Sequence, residues 1–265
     1  MMASRMCWDC WQRPTMVWVL LALGAIAIAQ GPAKHPKSSG VDLVKLVRNG
    51  DYHGMSVALD DGADPNGKPG KPPIWQAAQS GDLKAVKILL AHKADPNIES
   101  RLGTPMTAAV YSDRPEVVRT LIQAGANPNG DKKGHWHPIC MATSVAVLRV
   151  LLDAHADIEA QQEEGLRPLH IACTSGNAGI ANLLISSGAK VDAIDDAGNT
   201  PLMSLAFHSG FADSEDAKVK IAQRLVEAGA NVRIKNGAGL TAYDMANSHQ
   251  LLRLAKYLVK VKPKE

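Results

Sequence analysis

The stretch GLRPLHIACTSGNAGIANLLISSGAKVD, residues 165–192, decides the fold. Gly165 opens a turn, and Pro168 stands where a helix can begin, because the N–H that proline lacks has no partner in a first helical turn. Leu169, Ile171, Ala172 and Cys173 give a short apolar helix, which Ser175-Gly176-Asn177 breaks. Ile180, Leu183, Leu184 and Ile185 give a second helix with one apolar face, ended by Ser187-Gly188. A unit of this size cannot bury its own apolar face and needs a neighbour on each side.

The chain supplies those neighbours. The ending of the second helix returns as GADPN at 62–66, KADPN at 93–97, GANPN at 125–129, HADIE at 155–159, GAKVD at 188–192 and GANVR at 229–233. Its alanines, Ala63, Ala94, Ala126, Ala156, Ala189 and Ala230, are separated by 31, 32, 30, 33 and 41 residues. The turn before the first helix forms a second ladder in the same phase: PPIW at 72–75, TPMT at 104–107, HPIC at 137–140, RPLH at 167–170, TPLM at 200–203 and TAYD at 241–244. A period of about 33 with a turn and two helices per unit is a solenoid signature.

On these residues the chain resembles an ankyrin repeat protein across about residues 41–260. Gly198-Asn199-Thr200-Pro201-Leu202 and Arg167-Pro168-Leu169-His170 carry the turn-and-helix motif, and the Ala-Asp-Pro-Asn and Ala-Asn-Pro-Asn endings carry its loop. The expected fold is all-α: a solenoid of about seven helix-turn-helix units with short turn or hairpin tips. The units run 41–66, 67–97, 98–129, 130–159, 160–192, 193–233 and 234–261, in a domain spanning 41–261. The first lacks the Thr-Pro turn and starts as a helix over Val41 to Val47, as an N-terminal cap. The fourth is short, and the sixth carries about eight extra residues around Phe211 to Asp216. The last loses its proline and ends in lysines, which reads as a C-terminal cap with a polar outer face.

Composition narrows the function. Aromatic residues make up only 4%, which suits thin, closely stacked helices with small residues between them. The formal charge of +3 lacks the dense basic face that nucleic acid requires. Residues 1–29 read as an export signal: Arg5 and Arg13 precede the apolar run Met16 to Ala29, and Ala27-Ile28-Ala29 offers a small-x-small cleavage site. An uncleaved membrane anchor is the weaker reading, since the run is shorter than the roughly 20 residues a spanning helix needs. Residues 30–40 form a flexible linker of Pro, Gly, Ser and Lys. After cleavage the expectation is an exported chain, in a bacterial periplasm or secreted, with no membrane contact, monomeric when free. Cys7 and Cys10 fall in the leader, leaving Cys140 and Cys173 on neighbouring first helices, out of phase and too far apart for an unstrained bridge.

The family resemblance implies binding of another protein through the turn tips and the exposed side of the first helices. The tip charges run basic at Lys68, Lys71, Arg101, Lys132 and Lys133, acidic at Glu163, Glu164, Asp195 and Asp196, and basic again at Arg233 and Lys235. Such residues also read as ordinary solvated turns. The scarce aromatics Trp75, Tyr111, Trp136 and Phe207 map near the inner face and suit interface anchors. Trp75 also reads as packing under the adjacent turn, in the slot where the family carries His. The expected binding residues are therefore Trp75, Arg101, Tyr111, Lys132, Lys133, Trp136, Glu163, Glu164, Asp195, Asp196 and Phe207.

His135, His137 and Cys140 could supply ligands to a metal, but zinc normally takes four convergent ones. No phosphate-cradling glycine loop, GxSxG elbow or HExxH motif occurs, so neither catalysis nor a cofactor is expected. The functional expectation is a non-enzymatic binding module acting as an immunity or inhibitor protein against a toxin or enzyme. The alternatives are a periplasmic scaffold or stress-protection factor, and an effector secreted into a host.

Overall fold

The computed structural model describes residues 41–68, 70, 72–131, 137–207 and 215–261. The leader, the linker, Lys71, Lys132, Lys133, His135, Trp136 and the insertion residues Phe211 to Ser214 lie outside them. Among the described residues the regular structure is helical, with one isolated β-bridge, Ser100 to Gly103, closing the tip of the third unit.

The helices fall in pairs, one pair per unit. They are α1 (Leu43–Asn49) and α2 (Tyr52–Asp60), α3 (Pro73–Ser80) and α4 (Leu83–Ala91), and α5 (Pro105–Tyr111) and α6 (Pro115–Gln123). The fourth unit holds α7 (Pro138–Met141) and α8 (Val145–Asp153), and the fifth α9 (Pro168–Thr174) and α10 (Ala178–Ser186). The sixth holds α11 (Pro201–Ser204) and α12 (Glu215–Glu227), and the seventh α13 (Ala242–Ser248) and α14 (Leu252–Lys260). First helices pack on first helices and second on second, unit after unit.

The first helix described starts later than Val41. Asp42 accepts hydrogen bonds from the Val44 and Lys45 N–H groups and so fixes the N-terminus at Leu43. Five first helices open on a proline, and Thr104, Thr200 and Thr241 cap theirs through the hydroxyl. Asp51, Asp82, Ser144 and Asn177 cap the second helices in the same manner. Past the second helix the chain must turn through the left-handed region, where Gly62, Gly125, Gly188 and Gly229 sit at φ near 90–100°. Lys93 (φ 67°) and His155 (φ 59°) make the same turn with a side chain attached.

The core is a continuous ribbon. Ala77, Ala78, Ala109, Ala172 and Cys173 are buried where first helices approach closely, while Leu89, Leu121, Leu151 and Leu184 are fully buried between the helix layers. Two first helices are cut to four residues. That of the fourth unit was expected from its shortened sequence. That of the sixth precedes the insertion, and compensation comes from α12, whose thirteen residues make it the longest helix described.

Polar bonds fix the stacking. The last residue of one unit's ending accepts from a backbone N–H of the next: Asn66 from Asp95 (2.8 Å), Asn97 from Asn127 (2.7 Å), Asn129 from Asp157 (2.8 Å), Glu159 from Lys190 (2.8 Å) and Asp192 from Asn231 (2.9 Å). Arg233 holds the corresponding place in the sixth unit, and a guanidinium cannot accept. There Glu215 takes over, accepting from the Arg253 and Leu254 N–H groups at the start of α14, while Asp216 pairs with the Arg253 side chain. The acidic end of the insertion thus holds the last unit in place.

His170 braces adjacent turns. Its Nδ1 accepts from the Arg167 N–H (3.3 Å), so the proton sits on Nε2, which donates to the Asn199 carbonyl of the next unit (3.1 Å). The ring is fully buried, and desolvation holds its pKa below the usual histidine value despite the Asn199 bond. Below the unfolded value of about 6.5, an unfolded chain takes up a proton that the folded chain refuses, so this site destabilises the fold as pH falls from there to the folded pKa. The stability gap between the native protein and His170→Gln should therefore be narrower at pH 5 than at pH 7.5 in thermal melts. A gap that stays constant would show that His170 does not titrate. His92 acts in the opposite sense. A hydrogen bond to the Ile88 carbonyl and one to Asp60 raise its pKa, so its contribution is complete below about pH 6.5 and is lost as pH climbs through the raised value.

The outer face of the last unit is less polar than its lysines suggest. Leu252 is 68% and Val259 65% exposed.

Candidate protein-binding face

The face formed by the first helices and the turn tips is built from a repeating slot. From the second unit on, the sixth residue past the one that opens each first helix is Gln79, Tyr111, Ser144, Thr174, Phe207 and Ser248. None of the six is charged. Tyr111 is 73% exposed at the end of α5, an unusual degree of exposure for an aromatic side chain on a folded surface. Phe207 is 38% exposed and leans on His249 of the seventh unit, with ring centroids 6.4 Å apart. Ser112, Thr174 and Ser175 lie between the two rings along the chain and carry hydroxyls. The helical floor is thus neutral and hydroxyl-lined, with an aromatic ring in the third unit and another in the sixth.

The tips carry the charge. In the third unit, Ser100 and Gly103 exchange backbone hydrogen bonds (3.0 and 3.2 Å), which pushes Arg101 and Leu102 outward. Both are exposed, Leu102 to 68%. In the fifth and sixth units the tips are tied together: the Asp196 N–H donates to the Glu164 carbonyl (3.0 Å), and Gly165 leaves room for the Asp196 carboxylate. A Cβ at residue 165 would lie 2.4 Å from the Asp196 Oδ1, so this glycine allows the close approach of the two tips. Glu163, Glu164 and Asp196 all face solvent.

Two expected binding residues have other work in the fold. Asp195 Oδ1 accepts from the Ala197 and Asn199 N–H groups (2.9 and 2.7 Å), and Oδ2 accepts from the Asn199 side chain (3.0 Å). Its carboxylate organises the turn. Trp75 occupies the slot of His170 and is half-buried against the core, with the indole N–H enclosed. The three remaining candidates, Lys132, Lys133 and Trp136, fall outside the described residues.

Among the described residues the cysteines and possible metal ligands stand as follows. Cys140 and Cys173 are free and buried. Burial, aided by Asp157, pushes the Cys140 thiol up to about 12, and burial alone raises that of Cys173. Neither carries the thiolate that nucleophilic or redox chemistry needs at neutral pH. Among the described residues no three potential ligands converge on a metal position; His137 and Cys140 lie on α7 or its cap, and His135 is outside. An open notch of about 590 Å³ lies at the first unit, lined by Lys45, Arg48, Asp64 and Lys68 among others.

Sequence reasoning missed Lys218. It is 1% exposed and donates to the Phe207 carbonyl (2.9 Å), tying the start of α12 to the end of the preceding helical segment. The signal was present: Lys218, Ile221, Ala222 and Leu225 share helical spacing, so a lysine sits on the apolar stripe.

An array of paired helices stacked in register, with projecting tips, defines the class of helical repeat proteins. The family profile described as ankyrin repeats in three copies matches residues 43–132 and 137–236, and the chain belongs to the ankyrin repeat family. It is 33% identical over 242 residues to the B-cell lymphoma 3 protein homolog of Mus musculus, covering 86% of this chain and 48% of the relative. The chain thus spans about half the length of that relative. It is 29% identical over 188 residues to the putative ankyrin repeat protein YahD of Escherichia coli K12, covering 69% of this chain and 92% of that protein. Among solved structures, the ankyrin repeat domain of Bcl-3 superposes with a TM-score of 0.63 at 31% identity, over 74% of this chain and 89% of that domain. The human ASB11 ankyrin repeat domain gives a TM-score of 0.71 at 23% identity, over 85% of this chain and all of that chain, a likeness of fold.

Proposed function

We propose that this chain is an exported binding module that captures another protein across the Tyr111–Phe207 floor, with the charged tips setting the orientation of approach. The observation that carries the reading is Tyr111, an aromatic side chain 73% exposed on an uncharged helical face. Aromatic anchors dominate interface energetics, and stiff helices lose little entropy on binding. The basic tip of the third unit and the acidic tips of the fifth and sixth suit a partner with complementary patches, which governs on-rate and register more than affinity. In the compartment implied by the leader, the role we assign is that of an immunity or inhibitor protein, masking a toxin or enzyme. What supports export is the sequence pattern of residues 1–29.

The test is capture of partners from a periplasmic extract by the chain lacking residues 1–29, set beside the same chain carrying Tyr111→Ala. The substitution is expected to weaken the specific partner about tenfold or more, a typical hot-spot loss. Undiminished binding would remove Tyr111 from the interface. N-terminal sequencing of the protein recovered from cells tests the leader separately: a start after Ala29 is the expected result, and an intact Met1 would refute cleavage.

A further inference from the structure

The third unit departs from its neighbours where its two helices join. In four units the residue before the second helix is a short acceptor: Asp51, Asp82, Ser144 and Asn177 each accept a backbone N–H of the first helical turn. A residue of that kind is worth about 1 kcal/mol to the helix it caps. In the seventh unit Leu251 holds the place and is buried in the core. In the third unit it belongs to Arg114, which is exposed and makes no cap hydrogen bond through its side chain, while Pro115 opens α6. A guanidinium has donors only, so it cannot cap. The chain thus forgoes a cap at the joint that follows Tyr111, and core packing does not replace it.

The arginine stem is laid across the second unit. A Cβ at residue 81 would lie 2.7 Å from the Arg114 Cδ and Nε, so the bare backbone of Gly81, at φ 78°, is the bed on which it rests. Gly81 comes two residues after Gln79, which holds the Tyr111 slot in the second unit. The guanidinium makes no ion pair or hydrogen bond among the described residues. The carboxylates near it in sequence are engaged elsewhere. The Ser144 hydroxyl of the fourth unit donates to Asp113, and Asp82 accepts from the Tyr52 hydroxyl (3.3 Å) and the Ala85 N–H (3.0 Å). Glu116 pairs with Arg119 on its own helix (3.7 Å). Arg114 and Tyr111 therefore stand three residues apart, one an unpaired cation and the other an uncovered ring. Both residue types dominate interface energetics.

We propose that Arg114 is a carboxylate-binding residue of the Tyr111 face, and that the partner segment captured there is acidic, with an Asp or Glu beside the apolar group that Tyr111 contacts. This rests on the reading of Tyr111 as an anchor and names the chemistry of what it anchors. A guanidinium pairs with a carboxylate through two parallel N–H···O bonds, which fix orientation as well as adding energy. A stem already seated on Gly81 has less freedom to lose when the pair forms. The residues flanking the site, Gln79, Ser80, Ser112 and Thr143, carry no charge, so among them Arg114 alone sets the sign of the group that fits.

Selection of random peptides displayed on phage against the full chain tests it. The expected binders carry Asp or Glu close to a large apolar side chain. For such a peptide, Arg114→Glu should weaken binding about tenfold or more by setting like charges together, and replacing the peptide's acid with lysine should restore it. Arg114→Lys keeps the charge but loses the fork, so it should retain only part of the affinity. A glutamate at position 114 suits the positive end of α6, so that variant should keep its helical circular dichroism. Arg119→Glu, at an exposed position on α6, makes the same change in net charge and should leave binding unchanged, which separates a local contact from the field of the whole chain. Acid-free binders, or binders that lose affinity with Tyr111→Ala but not with Arg114→Glu, would overturn the carboxylate site and leave the Tyr111 face standing. Binders indifferent to Tyr111→Ala, or no binder at all, would overturn both.

Discussion

Leu151→Ala is expected to cost about 2–5 kcal/mol and to split the unfolding transition in two. Leu151 is fully buried on α8 in the fourth unit. That unit has the least material to absorb a cavity, because its first helix is only the four residues Pro138–Met141. In a solenoid, stability is a sum of unit terms and nearest-neighbour terms, so weakening a central unit uncouples the units on either side. Urea unfolding followed by circular dichroism should then show two steps, units one to three separating from units five to seven. The matched control is Leu258→Ala, a buried leucine in the last helix, which should only fray that end and leave one main transition. A single unchanged transition for Leu151→Ala would mean that the fourth unit is not the weak link.

Lys218 gives the second large effect, and its size depends on what replaces it. Lys218→Ala removes a buried four-carbon stem and leaves the Phe207 carbonyl short of a donor, for an expected loss of about 3 kcal/mol. Lys218→Met retains the packed stem and loses only the bonds of the ammonium group, so it should be the less destabilised of the two variants. Guanidinium unfolding of the two variants separates the contributions. Equal losses would show that the charge and its bonds, rather than the packed stem, hold this corner.

The fold was legible because helix ends in this chain are written in residues with few alternatives. Pro73, Pro105, Pro138, Pro168 and Pro201 open helices, and four glycines and Lys93 and His155 close them, all in one phase. What side chains do at the tips was less legible. Asp195 and Asp196 are adjacent and chemically alike, yet one carboxylate is consumed by its own turn and the other faces solvent. Glu215 and Asp216 read as the end of the sixth unit's extra residues, but they clamp α14, a contact 38 residues distant in sequence that no local pattern announces. Trp75 stood out by rarity, and rarity does not tell a ring that packs from a ring that binds. Tyr111 could be placed from its slot alone, because that slot repeats and its neighbours in the array are small and polar.

Five of the bonds between the unit endings point the same way. Asn66, Asn97, Asn129, Glu159 and Asp192 each present an acceptor to a backbone N–H that comes later in the chain. A growing or emerging polypeptide therefore always has the docking group in hand before the segment that needs it appears. Order can spread from the N-terminal unit as the chain is delivered, each finished unit serving as the template for its successor, with the seventh waiting on the Glu215 clamp.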